Sequence, residues 1–195
     1  MRERRGGDWV TDLEGRHAIE SEVELGIRRS SCLRLLRTST TSFERLDFQL
    51  LCPGEHLIEL EVKAKHQPLS ASWRALRADV DPGDLFVLDE LALRKIVDAG
   101  RYAFLLVRDL PRSRWVLWSA GDLHVATRVR HARRLERSTS GPSKTKGKLL
   151  FDLSEVGIAV DTVDDAMDAL ATLASRLDAM WSDIAPWPAL RRDAV

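Results

Sequence analysis

The stretch LDFQLLCPGEHLIELEVKAK, Leu46 to Lys65, decides how this chain is read. Leu46, Phe48 and Leu50 alternate with Asp47, Gln49 and Leu51 before a Pro-Gly break. After it, Ile58, Leu60, Val62 and Ala64 alternate with Leu57, Glu59, Glu61, Lys63 and Lys65. A period of two is the mark of strands with one apolar face. Pro53-Gly54 suits a type II turn between them. The pattern predicts strands over residues 43–52 and 56–65, joined as an antiparallel hairpin.

In such a hairpin the numbers of facing residues have a constant sum. With the turn centred near residue 54, Asp47 lies opposite Glu61, their Cβ atoms about 4.5–5.5 Å apart. Lys63 shares the face of Glu61. Two facing carboxylates repel unless something positive lies between them. A divalent cation, Mg²⁺ or Mn²⁺, takes oxygen ligands, keeps several waters and meets that need. Lys63 can orient or deprotonate a water, or hold phosphate charge. Asp47, Glu61 and Lys63 are therefore the candidate catalytic residues for phosphodiester hydrolysis.

Outward from the hairpin, residues 12–26 read as a helix. Asp12 is its cap, Gly26 suits its end, and Leu13, Ile19, Val23 and Ile27 form its stripe. Residues 32–36 read as a strand. Residues 66–83 are irregular, with a helical turn over 71–76. Residues 84–100 read as a second helix, with Leu85, Leu88, Leu91, Leu93, Ile96 and Val97 on or near its buried stripe and Gly100 as its stop. The short apolar run 102–107 reads as a strand buried on both faces. Another strand is expected over 114–118. The order is helix, three strands, helix, two strands, and both helices need the sheet to bury against.

Asp47 with Glu59-Leu60-Glu61-Val62-Lys63 resembles the PD-(D/E)xK nuclease signature. The resemblance covers roughly residues 12–118, including an element order similar to the family's α-β-β-β-α-β core. It implies an α/β, restriction-endonuclease-like fold: a mixed central sheet flanked by helices, here with a C-terminal basic segment and amphipathic helix. It further implies a Mg²⁺-dependent nuclease acting on DNA, in restriction, foreign-DNA defence or repair, with a helicase or methyltransferase as a conceivable partner. Asp47 and Glu61 would hold the metal. Glu20 is carried over as the ligand many members place on the first helix, because it borders the stripe of Ile19 and Val23; Glu24 lies further from that stripe. Leu46 stands where the family often has Pro. Gln67 follows where some members keep Gln or Lys. A reading of a different class is a catalytically inactive nucleic-acid-binding or protein-interaction module, which would not need the Asp47–Glu61 pairing.

The last third changes character. Between residues 124 and 148, Arg128, Arg130, Arg133, Arg134, Arg137, Lys144, Lys146 and Lys148 meet only Glu136, eight positive charges against one negative. Arg128, Arg130, Arg133, Arg134, Lys144, Lys146 and Lys148 are candidate DNA contacts, since cations there would neutralise phosphates and release counterions; a solvated loop is the alternative. Residues 138–143 read as a flexible segment and 149–153 as a strand. Val163, Met167, Leu170, Leu173, Ala174, Leu177 and Trp181 make an amphipathic helix capped by Asp161 or Thr162. It packs on the core or forms a homodimer contact. The expected division is a lead-in over 1–11, a nuclease core over 12–123, and the basic segment plus helix over 124–195.

Lys+Arg equal Asp+Glu at 30 each, so any nucleic-acid surface must be local. Hydrophobic residues at 44% and charged residues at 31% fit a globular chain and exclude a disordered one. The two cysteines, Cys32 and Cys52, read as buried free thiols. His124 and His131 read as surface residues, and Trp115 and Trp118 as core. Trp73 follows the signature where a substrate loop could lie. No apolar run approaches the roughly 20 residues that cross a bilayer, and the basic start lacks the apolar stretch of a secretory signal. A cytoplasmic protein without a membrane partner is expected.

Overall fold

A computed structural model describes residues 6–39, 45–52, 54–66, 69, 71–135 and 144–183. For 6–14, 16, 132–135, 144–146, 178 and 181–183 only the backbone is described. Helix α1 (Gly6–Arg29) leads into β1 (Arg34–Thr38), β2 (Phe48–Leu51) and β3 (Leu57–Lys65), an antiparallel meander. A short helix α2 (Ala71–Arg74) and a 3₁₀ turn follow, then β4 (Leu85–Asp89) and α3 (Glu90–Asp98). The chain returns as β5 (Ala103–Asp109), β6 (Arg114–Ser119) and α4 (Ala120–Val125). It ends with β7 (Arg128–Leu135), β8 (Lys144–Asp152), β9 (Ile158–Val160) and α5 (Val163–Asp183).

The protein is α/β, with a mixed sheet ordered β1-β2-β3-β5-β6-β9 and a second antiparallel sheet ordered β4-β8-β7. β3 and β5 are the parallel pair. A parallel pair needs a crossover, and that crossover carries α2, β4 and α3. β5 is the spine of two cores. Phe104 and Leu106 join the layer of α1 and α5, with Val23, Ile27, Leu60, Trp115, Met167 and Leu170. Ala103, Leu105 and Val107 join the layer of α3, α4 and the second sheet, with Leu88, Ile96, Trp118, Leu123 and Phe151. These five β5 side chains are at most 1% exposed. At roughly 1.5–3 kcal/mol for each large apolar group buried, this strand is where truncation would cost most. Among the described residues, no helix is long and apolar enough to cross a membrane.

The hairpin forms in the expected register, with Phe48 facing Leu60, Gln49 facing Glu59 and Leu50 facing Ile58. The turn closes through Glu55 N donating to the Cys52 carbonyl at 3.1 Å, and Gly54 sits at φ 90°, the left-handed value that the third place of a type II turn requires. Gly100, also left-handed at φ 91°, stops α3. The capping Thr162 is found as well, its Oγ1 accepting from Asp165 N at 3.1 Å.

Several expectations are corrected. Residues 84–100 are not one helix: residues 85–89 are β4, paired with β8 through Phe86–Phe151 and Leu88–Leu149. A short apolar run fits either period, and the partner that selects the strand lies some sixty residues later in the chain. Leu91 and Val97, counted on the buried stripe, are exposed. Helix α1 starts at Gly6, so Asp12 is inside it and is not the cap. Gly26 does not end the helix either. It lies where α1 crosses α5, and a Cβ there would stand 3.1 Å from Val163. Cys52 is buried as expected, but Cys32 is exposed.

Candidate active site

Asp47 stands one residue before β2, where the ladder to β3 ends. Its carbonyl accepts from Ser39 N at 2.7 Å. Its carboxylate Oδ2 accepts from Val62 N at 2.8 Å, replacing the next backbone rung. The bend that allows this also turns Leu46 away from Phe48 and into the opposite core. One more step of the register sets Asp47 opposite Glu61. The two carboxylates are 2% and 3% exposed.

Lys63, on the same face of β3, lies across them. Its Nζ is 3.9 Å from Asp47 Oδ2 and in direct contact with Glu61 Oε1, and it donates to the Val62 carbonyl at 3.1 Å. A second ammonium was not foreseen. Lys95, on α3, reaches Glu61 Oε2 at 3.7 Å and donates to the Arg45 carbonyl at 3.2 Å. The signal for it was a lysine beside Ile96 on a helix bound to cover this face. An expected start at residue 84 instead of Glu90 put Leu91 and Val97 on the buried stripe and left Lys95 off it. Two carboxylates and two ammoniums therefore balance within the cluster.

Glu20 is buried on α1, which packs on the sheet's other face, and its Oε2 lies 3.5 Å from His17 Nδ1. Glu24 is paired along its own helix with Arg28 at 2.6 Å. Among the described residues, no three His, Cys, Asp or Glu side chains gather so as to hold a metal ion. Glu20 thus does not join Asp47 and Glu61 in this conformation. The donors that do meet are of the right kind for a hard divalent cation. They are carboxylate oxygens, shielded from water, and Glu61 Oε2 accepts no hydrogen bond from a described residue.

The basic segment is mostly strand. β7 and β8 pair from Arg128–Phe151 to Leu135–Lys144, and the register sets Arg133 opposite Lys146. Three of its cations are held by the protein itself. Arg128 donates to the Leu123 carbonyl at 2.8 Å, Arg130 binds Glu90 at 2.9 Å, and Lys148 binds Asp89. Arg130 and Arg94 together hold the Glu90 carboxyl below its usual range. The side chains of Arg133, Arg134, Lys144 and Lys146, and all of residues 138–143, lie outside the described residues. His124 and His131 are exposed, as expected. Trp115 and Trp118 are core. Trp73 meets the edge of His131 at 5.2 Å between ring centres.

Further along the same face of β3 is a second charged cluster. Lys65 pairs with Asp109 at 3.5 Å and donates to the Gly83 carbonyl. Arg114 joins Asp109 at 3.0 Å to Asp84 at 2.6 Å, and Arg112 adds Asp84 at 2.9 Å and Asp81 at 3.1 Å. Burial pushes the Lys65 ammonium below its ordinary value, against the pull of Asp109.

Compared with known proteins, the chain matches no family model, no curated protein and no solved structure.

Proposed function

We propose that the chain is a metal-dependent nuclease on a restriction-endonuclease-like core, hydrolysing phosphodiester bonds of DNA. The observation that carries this reading is the pair of buried carboxylates, Asp47 and Glu61, with the Lys63 ammonium lying across them. Burying two acids on facing strands is costly, and the Lys63 side chain that offsets the cost stays 29% exposed. The order α1-β1-β2-β3-α3-β5 supports the family reading, with β4 as an insertion that pairs outside the main sheet.

In this reading Asp47 and Glu61 hold Mg²⁺ or Mn²⁺, which when bound supplies Lewis-acid charge at the scissile phosphate. Lys63, half-exposed, orients the attacking water or steadies charge on the phosphate oxygens. The β7–β8 hairpin supplies cations for the DNA backbone.

A second reading has its own support. Lys63 and Lys95 already balance the acid pair, so the site is electrostatically complete as a scaffold. It takes the chain as a nucleic-acid-binding module without catalysis. The discriminating experiment incubates the protein with supercoiled plasmid, linear duplex and single-stranded DNA in Mg²⁺, Mn²⁺ or EDTA. Glu61→Gln and Lys63→Ala run alongside. Metal-dependent cleavage lost in both variants supports the nuclease. Cleavage that persists in both sinks the residue assignment. No cleavage, together with no heat of Mg²⁺ binding by calorimetry, selects the second reading.

A further inference from the structure

Beside the acid pair lies a cavity of about 450 Å³. Arg37 on β1, Arg45 and Leu46 before β2, Glu59 on β3 and Lys95 on α3 are among the residues that line it. Such a volume is within the range that admits a small polar group with its neighbouring atoms. Its relation to the candidate site is fixed by two shared features. Glu59 is two residues from Glu61 on one face of β3, roughly 6.6 Å along the strand. Lys95 is a common wall, since its Nζ lies 3.7 Å from Glu61.

The lining carries three cations, Arg37, Arg45 and Lys95, against two acids, Glu59 and the exposed Asp98 at the end of α3. Glu59 is already engaged, accepting from Gln49 at 2.7 Å and pairing with Arg37 at 3.5 Å. Lys95 is committed to Glu61 and the Arg45 carbonyl. The Arg45 guanidinium is exposed and makes no ion pair with a described residue. An exposed guanidinium lining a cavity together with Arg37 and Lys95 is suited to a phosphate, whose oxygens its planar donors match two at a time.

We propose that this cavity is a phosphate-binding subsite that seats the nucleic-acid phosphate next to the one that Lys63 contacts, with Arg45 as its principal contact. The strand would then cross the β2–β3 hairpin from the cavity over the acid pair. This rests on the nucleic-acid reading above, and not on its chemistry.

The test is binding of a fluorescent duplex DNA in EDTA, where no cleavage occurs, across a salt series, for the wild type, Arg45→Ala and Arg45→Lys. Arg45 bears on no buried group, so both variants keep the fold. The expected result is that Arg45→Ala binds about fivefold or more weakly. Its plot of log affinity against log salt should lose roughly 0.9 of slope, the share of one phosphate contact. Arg45→Lys should keep the slope but recover only part of the affinity, because an ammonium cannot bind two oxygens side by side. An Arg45→Ala variant with wild-type affinity and slope overturns the subsite, whatever the cleavage assay gives. A wild type that binds no duplex overturns it too. An effect of Arg45→Ala on binding in a protein that never cleaves keeps the subsite and removes the nuclease.

Discussion

Two charged clusters sit on one face of β3, four residues apart, and are built differently. Around Lys65 every charge is locked. Asp109 is fully buried, Lys65 is 4% exposed, and Arg114 and Arg112 tie the acids together. Around Glu61 the acids are as deeply buried, but the lysine that β3 places between them is not. The side chains of Lys63 and Lys95 keep 29% and 19% of their surface, and Lys95 lines a cavity. The first arrangement fastens the ends of β3, β5 and β6, and its outer arginines reach solvent, Arg112 keeping 37% and Arg114 19% of the side-chain surface. Burial of the acids alone does not separate scaffold from site. What differs is the β3 lysine between the acids, sealed in at Lys65 and partly open to solvent at Lys63.

The sharpest way to break this contrast is to neutralise each cluster in turn. Glu61→Gln or Lys63→Ala should lower metal-dependent cleavage about a thousandfold with an unchanged circular dichroism spectrum. Activity surviving either change would make the cluster a scaffold like its neighbour. Asp109→Asn should do the reverse. It leaves Lys65 buried without its carboxylate and should cost roughly 3 kcal/mol in urea unfolding, while activity per folded molecule stays as it was. An Asp109→Asn protein as stable as the wild type would show that the locked cluster holds nothing.

Smaller effects sharpen the difference. Lys95→Ala removes a partly exposed cation and should change stability by no more than about 1 kcal/mol. A loss as large as that of Asp109→Asn would place Lys95 among the locked charges. The smallest effect is on pH dependence. Burial lowers the folded-state value of Lys65 below 10.5. Just below 10.5 the unfolded chain therefore holds more protons at this residue than the folded one, and the contribution of Lys65 to stability rises with pH. Urea midpoints at about pH 8 and about pH 10 should rise for the wild type relative to Lys65→Met. A fall would mean that the attraction of Asp109 outweighs the burial.

Local pattern carried much of this architecture. The hairpin register, the left-handed Gly54 and Gly100, the buried β5 run and the α5 stripe each follow from spacing within a few residues, because strand and helix periods are properties of neighbouring residues. Asp47, Glu61 and Lys63 were legible for the same reason: one turn and one period bring them together. What failed was decided at a distance. Residues 85–89 became β4 because β8 offered a partner, and Gly26 became a helix crossing because α5 packs there. Glu20, read from its own helix stripe, does not meet the acid pair, since which face α1 covers depends on the whole sheet.

The sequence by itself determined an alternating hairpin with two facing acids and a lysine, and the period of each strong element. Only the tertiary structure decided which charges became permanent partners. Lys95 reaches Glu61 through the crossover from β3 to β5, and Lys65 meets Asp109 through parallel pairing. Both contacts join residues some thirty or more positions apart. Their proximity follows from burying two apolar layers against one sheet, which no local window of sequence expresses.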